Sequence, residues 1–156
     1  MIEKYRNGAV LPLSFIFTIL SLKAMACPFE LPAATISIKG YTLSVELATI
    51  PSARHCGLSN REELPKNQGM LFVYPSARPL TFWMKDTHIP LSIAFLDDSA
   101  EIINIQNMFP NQTEERYTSS QPAKYVLEVN QGWFQTHGIE IGDKVEIKLP
   151  LVIEIY

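Results

Sequence analysis

The stretch that most constrains the fold lies around residues 69–95, where short apolar runs alternate with turn-forming residues. The runs 70–74, 80–84 and 91–96 are too short for stable helices, so we predict that they are strands. Three strands this close in sequence favour an antiparallel meander, because a parallel pair needs a long crossover connection. Residues 75–79 have a proline at each end and are expected to form the loop between the first two strands.

The segments on either side continue this β pattern and add two short helices. Residues 35–39 and 42–48 alternate apolar and polar side chains and predict a hairpin. Residues 51–56, which begin with a proline, and 131–137, which end before a glycine, each predict a short helix. Further strands are predicted at 101–106, 125–129 and 144–149. The fold class that follows is mainly β, a compact antiparallel β sandwich or barrel with two short helices.

The first 26 residues have the three-part plan of a secretory signal peptide. Lys4 and Arg6 supply the basic start, residues 11–22 are almost wholly apolar, and Ala24 and Ala26 occupy the positions that a signal peptidase reads. The apolar run has about a dozen residues, fewer than the roughly 20 that span a bilayer. We therefore expect a periplasmic or secreted protein.

The predicted domain plan places the signal at residues 1–26, an N-terminal extension at 27–34 and a single β-rich domain at 35–156. Two alternatives attach the protein to the membrane: residues 9–22 stay as an uncleaved inner-membrane anchor, or Cys27 carries a lipid. Without its first 26 residues the chain has 10 basic and 15 acidic side chains, a formal charge of −5. Because Lys and Arg supply non-specific nucleic-acid binding, we expect no nucleic-acid partner.

The two cysteines, Cys27 and Cys56, can pair in an oxidising compartment. A catalytic thiol at Cys56 would need a nearby base, and His55 is its neighbour in sequence. Adjacent side chains usually point apart, however, so this pair alone is weak evidence for catalysis. We favour a structural role for Cys56 over a catalytic one.

Several motifs follow one another in the order of a known family. They are RHCGLSNR at 54–61, LP at 64–65, GMLFV at 69–73, FWMKDTHIPL at 82–91, LEV and GW within 127–133, and GI and GDKV within 138–145. This series resembles the bacterial and archaeal family called domain of unknown function 192, over roughly residues 36–149. The resemblance implies a compact β-rich fold that is frequently exported, and it implies no established reaction.

Two positions depart from the pattern of that family. Ser59 stands where the family usually has Met, and Ser92 stands where it usually has Asp. If the family used this carboxylate in chemistry, the present chain has lost it. If the carboxylate only capped a turn, a serine can take its place.

The candidate site is a cleft between residues 54–61 and the strand end at 83–88. Glu128 lies mid-strand among apolar residues, where a charge is costly unless it is paired, so we expect Arg54 or Arg61 to pair with it. For this ion pair we favour a structural role, which fixes the helical segment on the sheet, over a binding or catalytic one. Trp83 is predicted on the opposite strand face from its two neighbours, and we favour a core position over an exposed ligand platform. The candidate cleft residues are Arg54, Arg61, Met70, Phe72, Trp83, Met84, Thr87, His88 and Glu128.

The function that these residues favour is binding, by an exported domain, of an envelope glycan, a small molecule or an envelope protein. One alternative is a hydrolase or transferase that acts on envelope polymer, with Glu128 or His88 as general acid or base. Another is a structural accessory protein without a ligand. The sequence names no catalytic residue, and its histidines show no metal-ligand spacing, so we expect neither a metal nor a cofactor.

Overall fold

The computed structural model describes residues 30–156, which form nine strands and two short helices. The strands are β1 Ala33–Ile38, β2 Tyr41–Ala48, β3 Gln68–Arg78, β4 Thr81–Phe82, β5 Leu91–Leu96, β6 Ile102–Met108, β7 Tyr117–Thr118, β8 Ala123–Asn130 and β9 Val145–Ile147. The helices are α1 Pro51–Cys56 and α2 Trp133–Thr136. The predicted hairpin and both predicted helices are confirmed, as is the mainly β class with two short helices.

Seven of these strands form one curled sheet in the order β6-β5-β8-β3-β2-β1-β9. All neighbours are antiparallel except β2 and β3, which run parallel and are joined through the crossover that contains α1. The two outer strands approach each other at a bridge between Glu101 and Lys144, beside which the Val145 N–H donates to the Ala100 carbonyl at 2.9 Å. The sheet is therefore bent towards a barrel. Strands β4 and β7 make a separate two-stranded sheet.

The predicted meander is wrong, because the three central segments are not neighbours. Strand β8 lies between β3 and β5 and pairs with both, and β4 belongs to the other sheet. The predicted loop at 75–79 is also wrong, since β3 continues to Arg78. Its register with β8 is irregular between Val73 and Arg78, and such an irregularity lets a strand hold Pro75.

The sheet has a buried cluster on each face, which follows from the alternation of side chains along its strands. The inner cluster contains apolar residues from all seven strands together with Trp133 and Phe134 of α2. The outer cluster includes Met70, Phe72 and Val126 and is covered by α1 and the loops that follow α1 and β4. Even-numbered residues of β3 and β8 therefore face α1, and Glu128 is one of them.

Several predictions fall on residues outside the described part of the chain. The signal at 1–26, the alternative anchor at 9–22 and the lipid site at Cys27 are among them. Within residues 30–156, none of the helices has the length and apolar character needed to cross a bilayer.

Candidate functional site

A narrow cavity of about 40 Å³ lies between the outer face of the sheet and the segments that cover it. Phe72 of β3 and Glu128 of β8 form its sheet side. One wall is the helix and turn at residues 54–59, and the other consists of Phe82, Trp83, Lys85 and Thr87. The space is large enough to hold a water molecule or a small polar group.

Glu128 is the most unusual side chain of this cavity. It is 5% exposed, and its strand neighbours on either side, Met70 and Ile93, are fully buried apolar residues. Among the described residues 30–156, none forms a hydrogen bond or an ion pair with its carboxyl group. Burial raises the pKa of Glu128 to about 8, because a charged carboxylate loses its hydration there without a compensating partner. At neutral pH the group is therefore mostly a neutral acid that can donate one hydrogen bond.

The two walls of the cavity are tied together by hydrogen bonds. The Asn60 N–H donates to the Asp86 carbonyl at 2.7 Å, and the Ser59 hydroxyl donates to the Lys85 carbonyl at 3.3 Å. Asn60 and Asp86 both have positive φ angles, of 60° and 55°, which short polar side chains tolerate. These bonds fix the turn after α1 against the corner after β4, so the opening between them has a defined width.

Arg54 lines the cavity but does not pair with Glu128. Its guanidinium donates to the carbonyls of Thr49, Val73 and Tyr156 and lies 4.7 Å from the centre of the Tyr74 ring. Backbone carbonyls therefore take the hydrogen bonds that we expected a carboxylate to accept. Arg54 is still one of the residues that line the cavity wall.

The prediction that Arg61 belongs to the cleft is wrong, because Arg61 lies outside the cavity. It forms a bidentate ion pair with Glu46, with both N···O distances at 2.6 Å. Glu46 is aligned with Met70, and Met70 with Glu128, across neighbouring strands. The ion pair therefore belongs to a strand two positions away from Glu128, roughly 10 Å across the sheet. Met70, which is fully buried, stands between them and does not line the cavity.

Trp83 is 44% exposed, so the core position that we favoured for it is wrong. The predicted alternation is correct, since Phe82 packs on the outer cluster and Met84 is buried while Trp83 faces outwards. Strand β4 has two residues and lies outside the main sheet, so one side of this segment is covered and the other is free. Lys85 and Arg116 place their charged groups 5.5 Å and 5.1 Å from the centre of the Trp83 ring.

The remaining candidates lie at the corner after Trp83, where some have structural positions and one lies at the surface. Met84 is 1% exposed and belongs to the outer cluster. Thr87 lines the cavity, and its hydroxyl donates to the Lys85 carbonyl at 3.2 Å. His88 is exposed, does not line the cavity, and has its Nδ1 at 2.9 Å from the Asn111 side-chain oxygen.

The structure brings five of the nine candidate residues into one cavity and adds others that lie within or next to the two predicted segments. The five are Arg54, Phe72, Trp83, Thr87 and Glu128. The additions include His55, Ser59, Phe82 and Lys85. Proximity in sequence to Arg54 and Trp83 was the available signal for all four.

The two departures from the family pattern have different surroundings. Ser59 lies on the cavity wall. Ser92 is buried in β5, where its hydroxyl accepts the Gly132 N–H at 2.9 Å and donates to the Asn107 side-chain oxygen at 2.6 Å. In this chain the Ser92 position therefore holds the loop before α2.

The described residues also limit the cysteine and metal chemistry that this site can perform. Cys56 is buried and disulfide-bonded, so it is not a free nucleophile in this state. The proposed pairing with Cys27 involves a residue outside the described range. Among residues 30–156, no cluster of three or more His, Cys, Asp or Glu side chains has a geometry that could hold a metal ion.

Comparison with known proteins gives a family and a fold. The family model for domain of unknown function 192, described as "Uncharacterized ACR", matches residues 34–147. A crystal structure from Sinorhizobium meliloti 1021, of a protein named as a candidate transcription regulator, is 34% identical, has a TM-score of 0.72, and covers 77% of this chain and 97% of its own. A protein of unknown function from Novosphingobium aromaticivorans DSM 12444 is also 34% identical, with a TM-score of 0.72 and coverage of 75% and 86%. No curated protein matches.

Proposed function

Because this chain belongs to the family called domain of unknown function 192, which assigns no reaction, we propose its function from the cavity itself: it binds a small ligand through Glu128. This chain shares its family and its fold with the relatives named above. We do not propose a role in transcription regulation, which the name of the Sinorhizobium meliloti protein suggests for that protein. The present chain has a formal charge of −3, which disfavours non-specific contact with DNA.

The observation that carries the proposal is the buried Glu128 carboxyl group, which lines the cavity and has no hydrogen-bond partner among residues 30–156. Buried polar groups are normally hydrogen-bonded, and an unsatisfied one costs about 1–3 kcal/mol. At Glu128, which lies between Met70 and Ile93, no hydrogen bond from residues 30–156 offsets this cost. A ligand group that enters the cavity would supply the missing hydrogen bond.

The dimensions of the cavity limit what enters it. A space of about 40 Å³ accepts one small polar group, such as a carbonyl, a hydroxyl or one end of a carboxylate. The rest of the ligand would lie outside, against the exposed Trp83 ring and its two cations. Aromatic surfaces of this kind contribute through stacking and burial of apolar area.

A fragment screen read by nuclear magnetic resonance tests the proposal, because the chain carries its own internal control. Of its two tryptophans, Trp83 borders the cavity, and Trp133 packs elsewhere with its indole N–H bonded to Asn67 at 3.2 Å. We expect fragments that contain a small polar head to shift the Trp83 indole signal in a saturable way. The Trp133 signal should not move, and Trp83→Phe assigns the two signals.

The matched variants are Glu128→Leu, which removes the hydrogen-bonding group, and Glu62→Leu, an exposed control away from the cavity. We expect Glu128→Leu to weaken the best fragment at least tenfold, about the value of one hydrogen bond. Equal affinity in Glu128→Leu, or a screen in which the Trp83 signal never shifts, would refute a binding function at this cavity.

We also propose that this binding takes place outside the cytoplasm. The signal-like plan of residues 1–26 supports export, and the disulfide-bonded state of Cys56 fits an oxidising compartment. Fractionation of expressing cells with intact-mass measurement tests this. The expected product is periplasmic or secreted and lacks 26 residues, whereas a full-length cytoplasmic product with reduced cysteines contradicts it.

A further inference from the structure

We propose, on the basis of the binding function above, that the group inserted beside Glu128 is a carboxylate, so that the protein recognises small carboxylic acids. The inference rests on the charges that line the cavity and on the size of the space. Arg54 and Lys85 are both part of the wall, and Arg116 stands over the same Trp83 ring as Lys85.

The other charged and titratable groups that line the cavity or lie beside Glu128 come from three different elements. Arg54 and His55 belong to α1, Lys85 to the corner after β4, and Tyr74 to β3. Burial raises the pKa of Tyr74, so its hydroxyl stays neutral. Among the described residues that line the cavity, no carboxyl group other than Glu128 occurs. The charged lining is therefore cationic, and it favours an anion over an amine or a metal ion.

The protonated Glu128 supplies the matching hydrogen bond. A neutral carboxyl group donates one O–H, and a ligand carboxylate accepts it, so that two carboxyl groups share one proton. One oxygen of a carboxylate fits a space of about 40 Å³, while the second oxygen remains at the opening near Lys85. A hydrogen bond to an ionised acceptor is about twice as strong as one between neutral groups.

This arrangement has a pH signature with a defined sign. A carboxylate ligand binds the form of the protein in which Glu128 carries its proton. Its affinity is therefore highest below about pH 8 and falls about tenfold for each pH unit above the Glu128 pKa. A cationic ligand would prefer the ionised form, and its affinity would rise over the same range.

The experiment compares three probes that share a ring and differ in their head group: benzoate, benzamide and benzylammonium. Their dissociation constants for the full, oxidised chain are measured between pH 6.5 and 9.5 from the Trp83 indole signal. We expect benzoate to bind at least tenfold more tightly than the other two at pH 7 and to lose about tenfold between pH 8.5 and 9.5.

Two variants assign the effect to its residues. Glu128→Gln keeps a hydrogen-bond donor without a titrating proton, so benzoate should still bind, with the fall above pH 8 abolished. A fall in benzoate affinity above pH 8 that persists in Glu128→Gln would contradict the inference. Lys85→Gln should weaken benzoate several-fold and leave benzamide unchanged, and Lys148→Gln, an exposed control on the far edge of the sheet, should change neither.

The outcomes separate the two proposals. If benzamide or benzylammonium binds better than benzoate, or benzoate affinity rises with pH, the carboxylate inference is wrong while binding at the cavity stands. If none of the probes shifts the Trp83 signal while neutral fragments of the earlier screen do, the inference is likewise wrong. If no compound of either set shifts it, both proposals fail.

Discussion

At the scale of single residues, burial of Glu128 has an energetic cost, because it disfavours the charged form of the carboxyl group. Glu128 lies on a strand between two apolar neighbours, and its carboxyl group has no partner among the described residues. Arg61, by contrast, pairs with Glu46 through two short hydrogen bonds, although its buried Nε has no hydrogen-bond partner among the described residues. Proteins keep uncompensated polar groups mainly where function requires them, at the expense of stability.

The first prediction concerns how stability depends on pH. The pKa of Glu128 is about 8 in the folded state and about 4.5 in the unfolded state, so the folded chain holds the extra proton between these values. The free energy of unfolding should therefore fall as pH rises from about 4.5 to 8, by up to about 5 kcal/mol from this group. Urea denaturation at pH 5, 7 and 9 measures the change.

The matched variant for this prediction is Glu128→Gln, which cannot lose a proton. The free energy of unfolding of this variant should lack the pH dependence that Glu128 contributes. At pH 9 it should exceed the free energy of unfolding of the natural chain. A natural chain that is equally stable at pH 5 and 9, or a variant with the same pH profile, would show that Glu128 is ionised or paired in solution.

At the scale of elements, the contact between β3 and β8 positions the site, and Gly69 permits that contact. A Cβ atom at Gly69 would lie 2.5 Å from the Glu128 carbonyl oxygen, which belongs to the backbone and cannot move aside. The absence of a side chain at Gly69 therefore lets β8 approach closely enough to pair. The same pairing sets Glu128 beside Met70 and directs its side chain towards α1.

We predict that Gly69→Ala separates the start of β3 from the end of β8. The expected cost is about 3 kcal/mol in the free energy of unfolding, as for other overpacked sites. Gly40→Ala is the control, because Gly40 has open space around it and its positive φ of 83° alone should cost about 1 kcal/mol. Urea denaturation compares the two, and equal losses would contradict the steric explanation.

At the scale of the whole molecule, stability is concentrated in the middle of the curled sheet. Strand β8 pairs along its length with both β3 and β5, while β4 and β7 share a two-residue pairing outside that sheet. The cavity lies between these two regions. The main sheet forms its floor, and the segment that begins with β4 forms one of its walls. Local opening of that wall can admit a ligand without disturbing the main core.

Amide hydrogen exchange should report this difference. We expect the slowest exchange in β8 and the paired parts of β3 and β5, and exchange at least a hundredfold faster at Phe82 and Thr118. Saturating benzoate should slow the Asn60 amide, which bridges the two cavity walls. Uniform protection across both sheets would contradict a separately opening wall.

The sequence alone determined the features that depend on local alternation and turn chemistry. The hairpin of β1 and β2, the inward side chains Ile36 and Leu43, and the two short helices follow from patterns within about ten residues. The same local pattern correctly placed Trp83 opposite Phe82. It also favoured a charged partner for Glu128, because burying an ionised group alone is costly.

Only the tertiary structure decided which strands become neighbours and which charges meet. The insertion of β8 between β3 and β5, and the parallel pairing of β2 with β3, join segments that are far apart in sequence or connected by a crossover. Those pairings assign Arg61 to Glu46, and they leave Glu128 without a hydrogen-bond partner among residues 30–156 and with its pKa raised by burial to about 8. Local spacing could not reveal this, because a buried acid escapes the cost of its charge by keeping its proton, and that depends on which groups the fold brings around it.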